Sequence, residues 1–235
     1  MQRFLQPDDV TCGPTCLRKV YAFYGENSEL EEIVAALQRN EDGGTMAVYL
    51  AISALKRGYN ARIFSYDQRI FDPTWVNLSP EQLIGKITAR RQYLVDVKRV
   101  QAADAYVQFL QMGGELAFKE LTHCLLREII DRGHPVLAGL SATYLYRFAR
   151  ERWEPSTQRL IEDDVAGEPS GHFVVITGYD NWGRTLSVLD PAENVPAPGG
   201  RVVVEASRLI NAILLGDVTY DAVLLEVWPI DQEAA

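Results

Sequence analysis

Four side chains in this sequence have the types and order needed for chemistry at a thiol. They are Gln6, Cys12, His172 and Asp190. A cysteine becomes an efficient nucleophile when an imidazole removes its proton, and a carboxylate commonly orients that imidazole. A side-chain amide nearby can stabilise the oxyanion that forms during attack on a carbonyl. The sequence therefore predicts a thiol nucleophile with its base, its orienting group and its oxyanion donor.

Cys12 is the candidate nucleophile among the three cysteines. Gly13 and Pro14 follow it and lead into a predicted helix that ends near Tyr24, before Gly25. The N–H groups and the dipole at a helix N-terminus favour a thiolate. A buried structural role is the usual alternative for a free cysteine. We predict that alternative for Cys16, which shares the apolar face of the helix, and for Cys124.

His172 is the candidate base, with His134 as a second choice. His172 opens the most apolar predicted strand, residues 172–179, and Asp190 follows a second predicted strand, residues 184–189. A hairpin turn at residues 180–183 would make these strands neighbours, with facing side chains about 5 Å apart. On its own, Asp190 could simply be a turn residue before a proline. Gln6 would donate to the oxyanion together with the Cys12 backbone N–H, unless it is an ordinary surface glutamine.

Composition limits the kinds of partner that the protein can have. The 235 residues carry a net charge of −9, which disfavours nucleic acid and anionic membranes. Three cysteines fit a reducing compartment, and we find neither a secretory signal nor an apolar run near the ~20 residues that a membrane helix needs. We therefore expect a cytoplasmic protein with neither nucleic-acid nor membrane partners.

The order of predicted elements is typical of an α+β protein. Helices dominate the first half, at residues 13–24, 28–37, 46–57, 79–112 and 122–132, with one strand at 60–66. Serines open two of these helices in predicted capping boxes, at Ser28 and Ser79. From residue 133 strands prevail, at 135–140, 172–179, 184–189, 201–205 and 220–228, with a helix at 206–215. Two predicted surface loops, residues 151–170 and 191–200, flank the candidate site.

The motifs that carry the candidate site resemble those of the peptidase C39 family, in the papain-like superfamily. The resemblance rests on Gln6-x5-Cys12-Gly13-Pro14, Gly171-His172-Phe173-Val174-Val175 and Asp190-Pro191. It implies one papain-like domain over residues 1–235, in which an N-terminal helical part packs on a C-terminal antiparallel sheet. It also implies a cysteine peptidase without a cofactor, with Cys12 as nucleophile, His172 as base, Asp190 as the orienting group and Gln6 in the oxyanion hole.

Two features set the sequence apart from the best-known members, which remove leader peptides after a double glycine and are fused to ABC transporters. Thr11 stands where the family commonly has an aspartate directly before the cysteine. A helical insert at about residues 72–120, and the stretch 141–147, look closer to stand-alone C39-like proteins encoded beside ATP-grasp amide ligases in bacteria. That likeness implies a peptide or amide-linked substrate made by such a ligase.

Further side chains are candidates for binding the substrate. Tyr144, Tyr146 and Arg147 follow a predicted strand and would line the cleft with Gly171, and Arg147 could hold a substrate carboxylate. The alternative is that the tyrosines pack in the interior and the arginine is solvated.

Three other functions use the same residues. Acyl transfer differs from hydrolysis only in the acceptor that resolves the thioester. An inactive peptide-binding module of the same fold is a second alternative. A metal site of Cys12, Cys16 and His172 is a third, but no second Cys or His pair completes a tetrahedron, so we predict no metal.

Overall fold

The computed structural model describes residues 1, 4–180, 182, 184–193, 195, 200–216, 220 and 222–231. Within them the chain forms helices, in order, α1 (Cys12–Phe23), α2 (Leu30–Ala36), α3 (Ala47–Lys56), α4 (Pro80–Arg91), α5 (Val97–Gln111), α6 (His123–Asp131), α7 (Ala142–Tyr146) and α8 (Ala206–Leu214). A short 3-10 helix spans Pro73–Trp75. No helix among these residues has the length and apolar character that crossing a membrane requires.

The strands form one large sheet and one hairpin. They are β1 (Tyr59–Ser65), β2 (Glu115–Ala117), β3 (Val136–Ser141), β4 (Glu151–Glu154), β5 (Arg159–Glu162), β6 (Gly171–Asp180), β7 (Thr185–Leu189), β8 (Arg201–Glu205) and β9 (Val223–Pro229). The sheet has the order β2-β1-β9-β3-β6-β7-β8, and β4 pairs with β5 alone. The predicted α+β class is confirmed.

The sheet separates two hydrophobic clusters, because alternate residues of a strand face opposite sides. Leu137 of β3 and Val175 of β6 belong to the cluster that includes residues of α1, α3, α4 and α5. Their neighbours Ala138 and Val174 belong to the cluster that includes residues of α6 and α8. Helix α1 therefore packs on β6, the strand that begins at Gly171.

Local sequence signals explain several helix ends. Ser79 and Gln82 form the predicted capping box of α4. Gly25 adopts a φ of +86° just after α1, as its position at a helix C-terminus predicts. The capping box predicted at Ser28 is wrong: α2 begins after Glu29 without a side-chain cap, and the Ser28 hydroxyl donates to Glu26 at 2.6 Å instead.

The helical pattern predicted over residues 79–112 forms two helices, α4 and α5. The Asp96 carboxylate accepts a hydrogen bond from the Arg99 N–H at 3.0 Å, which starts α5 as a separate helix. Both helices contribute buried side chains, among them Ile87 and Phe109, to the hydrophobic cluster that includes residues of α1.

Two further predictions about the strands need correction. The expected antiparallel sheet is mixed, since β1 and β2 pair in parallel. The segment 151–170, predicted as a surface loop, contains the hairpin β4–β5, in which Trp153 pairs with Leu160 and Arg152 with Ile161. The apolar residues Trp153, Leu160 and Ile161 favour strands although charged residues surround them. Residues 181 and 183 of the predicted turn, and 194 and 196–199 of the second predicted loop, lie outside the described residues.

Candidate active site

His172 and Asp190 meet where two neighbouring strands end. Strands β6 and β7 are antiparallel, and their register pairs Val175 with Leu189. Asp190 follows β7 directly, so its carboxylate reaches the ring of His172 near the start of β6. His172 Nε2 lies 2.9 Å from Asp190 Oδ1. The Asp190 side chain is completely buried, and its position is therefore fixed by the protein and not by solvent.

The Asp190 carboxylate accepts hydrogen bonds at both oxygens. The Ala192 N–H donates to Oδ1 at 2.7 Å, alongside His172. The Tyr146 hydroxyl donates to Oδ2. A buried carboxylate without such donors would be costly, because burial penalises the charged form.

These contacts set the charge of the pair. Burial opposes the charged form of His172, but hydrogen bonds and the charges of Asp190 and Cys12 raise its pKa to about 10. Burial works against the Asp190 anion too, yet His172, Tyr146 and the Ala192 N–H hold the pKa of that carboxyl below its ordinary value. At neutral pH the pair is therefore an imidazolium and a carboxylate.

Cys12 is placed at this pair by the start of α1. The thiol is half-buried and near enough to His172 to help raise the pKa of that imidazole. Since Nε2 of that ring is engaged by Asp190, Nδ1 is the nitrogen left for the thiol. Thr11, at the N-cap, makes no side-chain capping bond, so the first N–H groups of α1 stay available to a negative charge beside Cys12.

Gly13 allows α1 to approach the sheet closely. A Cβ atom at this position would lie 2.7 Å from the Thr45 methyl, 3.2 Å from Leu50 and 3.3 Å from Phe173. Phe173 is the residue after His172 on β6, so the absence of a side chain at Gly13 sets how near Cys12 comes to His172.

Gln6 lies at the same site. Its backbone N–H donates to the Pro191 carbonyl at 2.9 Å, which ties the N-terminal segment to the chain that follows Asp190. The side-chain Nε2 donates to the Asp8 carbonyl at 2.8 Å. An amide nitrogen has two hydrogens, so one remains for another acceptor.

A groove of 1020 Å³ lies at the His172–Asp190 pair. Gln6, His172 and Asp190 line it, as do Tyr146 and Gly171. Its outer wall includes apolar side chains of the hairpin region that the sequence did not single out, namely Phe148, Trp153 and Leu160. The prediction of a loop over residues 151–170 does not reveal these side chains. A hairpin could have been predicted from the apolar residues in Arg152-Trp153 and Leu160-Ile161, which lie on either side of a polar stretch.

The four candidate substrate-binding residues do not all lie in this groove. Tyr146 and Gly171 line it, whereas Tyr144 and Arg147 line a second groove of 480 Å³, together with Arg208. Pro169 lines both grooves, which are therefore adjacent. All three residues of the 144–147 group stand on or just after α7, a short helix instead of a plain connection after β3.

The other cysteines and histidines have different surroundings. Cys16 is buried, and its thiol, whose pKa burial raises, donates to the Phe173 carbonyl at 3.3 Å. The buried structural role predicted for Cys124 is wrong, because this thiol is exposed beside His123 at the start of α6. His134 lies just before β3, where it contacts the buried Glu226 at 2.7 Å and stacks on Trp228. Among the residues that the structure describes, no three His, Cys, Asp or Glu side chains form a group that could hold a metal ion.

Comparison with known proteins gives a match to one family model and matches to solved structures. A model of the Peptidase_C39 like family matches residues 79–203, a range that includes His172 and Asp190 and begins after Cys12. No curated protein matches the sequence.

The peptidase domain of Streptococcus ComA, a bi-functional ABC transporter involved in a quorum sensing pathway, is 15% identical, with a TM-score of 0.43 over 96% of each chain. A double glycine motif protease from an AMS/PCAT transporter, solved with its leader peptide, is 14% identical. Its TM-score is 0.43 over 97% of this chain and 91% of that chain.

The family match covers more than half of the 235 residues. It agrees with the fold, in which a helix that begins at a cysteine packs on a sheet that carries a histidine. The chain belongs to the Peptidase_C39 like family, and its fold is of the α+β class.

Proposed function

We propose that this protein is a cysteine peptidase or amidase that cleaves a peptide or amide bond through a thioester on Cys12. One observation carries the proposal: the buried Asp190 hydrogen-bonds His172, and Cys12 is near enough to the same ring to help raise its pKa. Membership of a peptidase-like family supports it. The groove in front of the pair provides room for an extended substrate.

The proposed reaction begins with the thiolate of Cys12 and the imidazolium of His172. The thiolate attacks the substrate carbonyl carbon, a C–S bond forms, and the carbonyl electron pair moves onto oxygen. The Cys12 backbone N–H and the free hydrogen of Gln6 Nε2 stabilise that oxyanion. As the oxyanion collapses, the C–N bond breaks and His172 gives its proton to the leaving amine.

Hydrolysis of the thioester completes the cycle. His172, now neutral, removes a proton from a water molecule that attacks the thioester carbonyl. The C–S bond breaks, the acid product leaves, and the proton returns the site to its starting state. Asp190 keeps the ring oriented throughout, because its Oδ1 holds Nε2 and leaves Nδ1 toward the thiol.

For the substrate we propose a peptide or an amide-linked product of an ATP-grasp ligase, as the resemblance to stand-alone C39-like proteins implies. Arg147 and Arg208 line the groove beside the proposed catalytic groove, so a substrate carboxylate would bind there. If so, Arg147→Ala raises KM for substrates with an acidic group and leaves KM for neutral substrates unchanged. A general loss of stability in that variant would contradict this role.

The activity can be tested with a peptide pool obtained from a bacterial proteome. The protein is incubated with the pool, and newly formed termini are identified by mass spectrometry. We expect cleavage by the wild type and by Cys124→Ala, whose thiol is exposed on α6 beside His123. Cys12→Ala and His172→Ala should lose it, by a factor of at least about 10³.

The same experiment separates the alternatives. An added amine such as glycinamide, if it is joined to the new acyl end in preference to water, would show acyl transfer. Peptides that bind Cys12→Ala and wild type equally, with cleavage by neither, would show a binding module. Cleavage that survives in Cys12→Ala would contradict the proposed nucleophile.

A further inference from the structure

Tyr146 makes a hydrogen bond to Asp190 that a role in substrate binding does not explain. Its hydroxyl donates to Asp190 Oδ2, the oxygen that His172 and the Ala192 N–H do not engage. The contact is a short one between a tyrosine and a buried carboxylate. Hydrogen bonds to an ionised acceptor are about twice as strong as neutral ones.

The local backbone fixes Tyr146 in place. Helix α7 is anchored by the buried Leu145, and the Ser141 side chain caps its first turn by accepting from the Tyr144 N–H. Arg147 ends the helix with a φ of 58°, a left-handed conformation that a residue with a side chain adopts only at a cost. After this bend, Phe148 packs on the Tyr146 ring at a centroid distance of 5.4 Å.

We infer that Tyr146 is a positioning residue that holds the Asp190 carboxylate so that His172 stays protonated and oriented toward Cys12. The inference rests on the proposed function. It adds Tyr146 as a fourth residue to the proposed set of Cys12, His172 and Asp190. Tyr146 acts through Asp190 and not on the substrate. Its place in the wall of the groove is compatible with both roles, so the test must separate them.

Loss of the hydroxyl has a definite consequence. In Tyr146→Phe, Asp190 Oδ2 stays buried without that donor, so the carboxylate turns to find another donor and its hydrogen bond to His172 Nε2 weakens. His172 should then lose its proton at a lower pH than in the wild type. A substrate-binding role would leave the protonation of His172 unchanged and would alter KM.

NMR titration of the imidazole protons tests this without any substrate. The chain has three histidines, so the signals can be assigned by substitution of His123 and His134. The matched control is Tyr179→Phe, which removes a tyrosine hydroxyl bonded to Asp131 at 2.7 Å, on the same strand as His172 but away from the groove. Circular dichroism establishes that each variant is folded.

We expect the His172 midpoint to fall by about one pH unit in Tyr146→Phe, the equivalent of a tenfold change in protonation, and to stay in place in Tyr179→Phe. Once a cleaved peptide is known, kcat for it should fall about tenfold in Tyr146→Phe, and KM should hardly change. An unchanged His172 midpoint in Tyr146→Phe, or an equal fall in both variants, would overturn the inference. If His172 titrates near its ordinary pKa in the wild type, the proposed function itself fails, which is a different result.

Discussion

At the scale of single residues, the burial of Asp190 decides how the site is charged. A carboxylate that water cannot reach must be stabilised by protein donors, and three side-chain or backbone groups provide this here. Its charge in turn supports the imidazolium of His172, whose pKa lies near 10. The site is therefore set up for a proton to reside on His172 before any substrate arrives.

This charge state predicts a pH-dependent stability. Because the pKa of His172 is higher in the folded protein than its ordinary 6.5, protonation stabilises the fold fully below pH 6.5, and this contribution disappears as the pH rises toward 10. The free energy of unfolding of the wild type should exceed that of His172→Gln by more at pH 6 than at pH 10, on the order of a few kcal/mol. Urea unfolding at both pH values measures this difference. A constant gap would contradict the assigned charge.

The sequence was informative about these residues to different degrees. Cys12, His172 and Asp190 could be proposed because helix starts and strand ends are readable from apolar runs and from glycine and proline. The contact of Tyr146 with Asp190 could not, because it joins residues far apart in the chain and depends on the bend at Arg147. The sequence predicts Tyr144 and Arg147 in one cleft with Tyr146, whereas in the structure they line the adjacent groove.

At the scale of elements, the packing of α1 on β6 brings the thiol to the imidazole. The contact is close because Gly13 has no side chain, with Thr45, Leu50 and Phe173 around it. The position of Cys12 is therefore determined by a neighbour that does no chemistry.

Gly13→Ala should separate α1 from the sheet. The added methyl overlaps the Thr45 side chain at 2.7 Å, so we expect a loss of about 1–3 kcal/mol of stability and a slower reaction of Cys12 with iodoacetamide. Thermal unfolding and alkylation rates measure the two effects.

Gly85→Ala is the matched control for that substitution. Gly85 lies inside α4 with open space around its would-be Cβ, so the same change should stabilise the protein by about 0.5–1 kcal/mol. It should leave Cys12 unaffected. Similar behaviour of the two variants would show that Gly13 does not set the position of α1.

Elements were predictable where local signals were strong. The Ser79 capping box and the apolar strands β3, β6 and β7 follow directly from the residues. The hairpin β4–β5 is not predicted because polar residues surround its few apolar ones. The parallel pairing of β2 with β1 is not predictable either, because it joins residues 53 positions apart in the sequence. Such pairings are decided by the whole fold and not by the local sequence.

At the scale of the whole molecule, the helices α4 and α5 share one hydrophobic cluster with α1, α3 and the sheet. Phe109 of α5 is completely buried and so tightly enclosed that a Cβ on Gly114 would lie 2.2 Å from its ring. Residues 80–111 should therefore unfold together with the part that carries Cys12.

Phe109→Ala tests this cooperativity. We expect a loss of about 3–5 kcal/mol, typical of a large cavity in a core. Urea unfolding followed by circular dichroism and by labelling of the buried Cys16 should give coincident midpoints, both shifted in the variant. A circular dichroism transition that moves alone, while Cys16 protection is unchanged, would show that α4 and α5 unfold as a separate unit.

The central claim is that His172 activates Cys12 as a nucleophile, and the pH dependence of cysteine alkylation tests it most directly. The rates for Cys12, Cys16 and Cys124 are obtained by mass spectrometry in the wild type and in His172→Ala. We predict that Cys12, although half-buried, reacts faster than the exposed Cys124 well below pH 7, and that His172→Ala removes this advantage. If Cys12 instead follows the pH profile of Cys124 in both proteins, the thiolate–imidazolium pair does not exist and the account is contradicted.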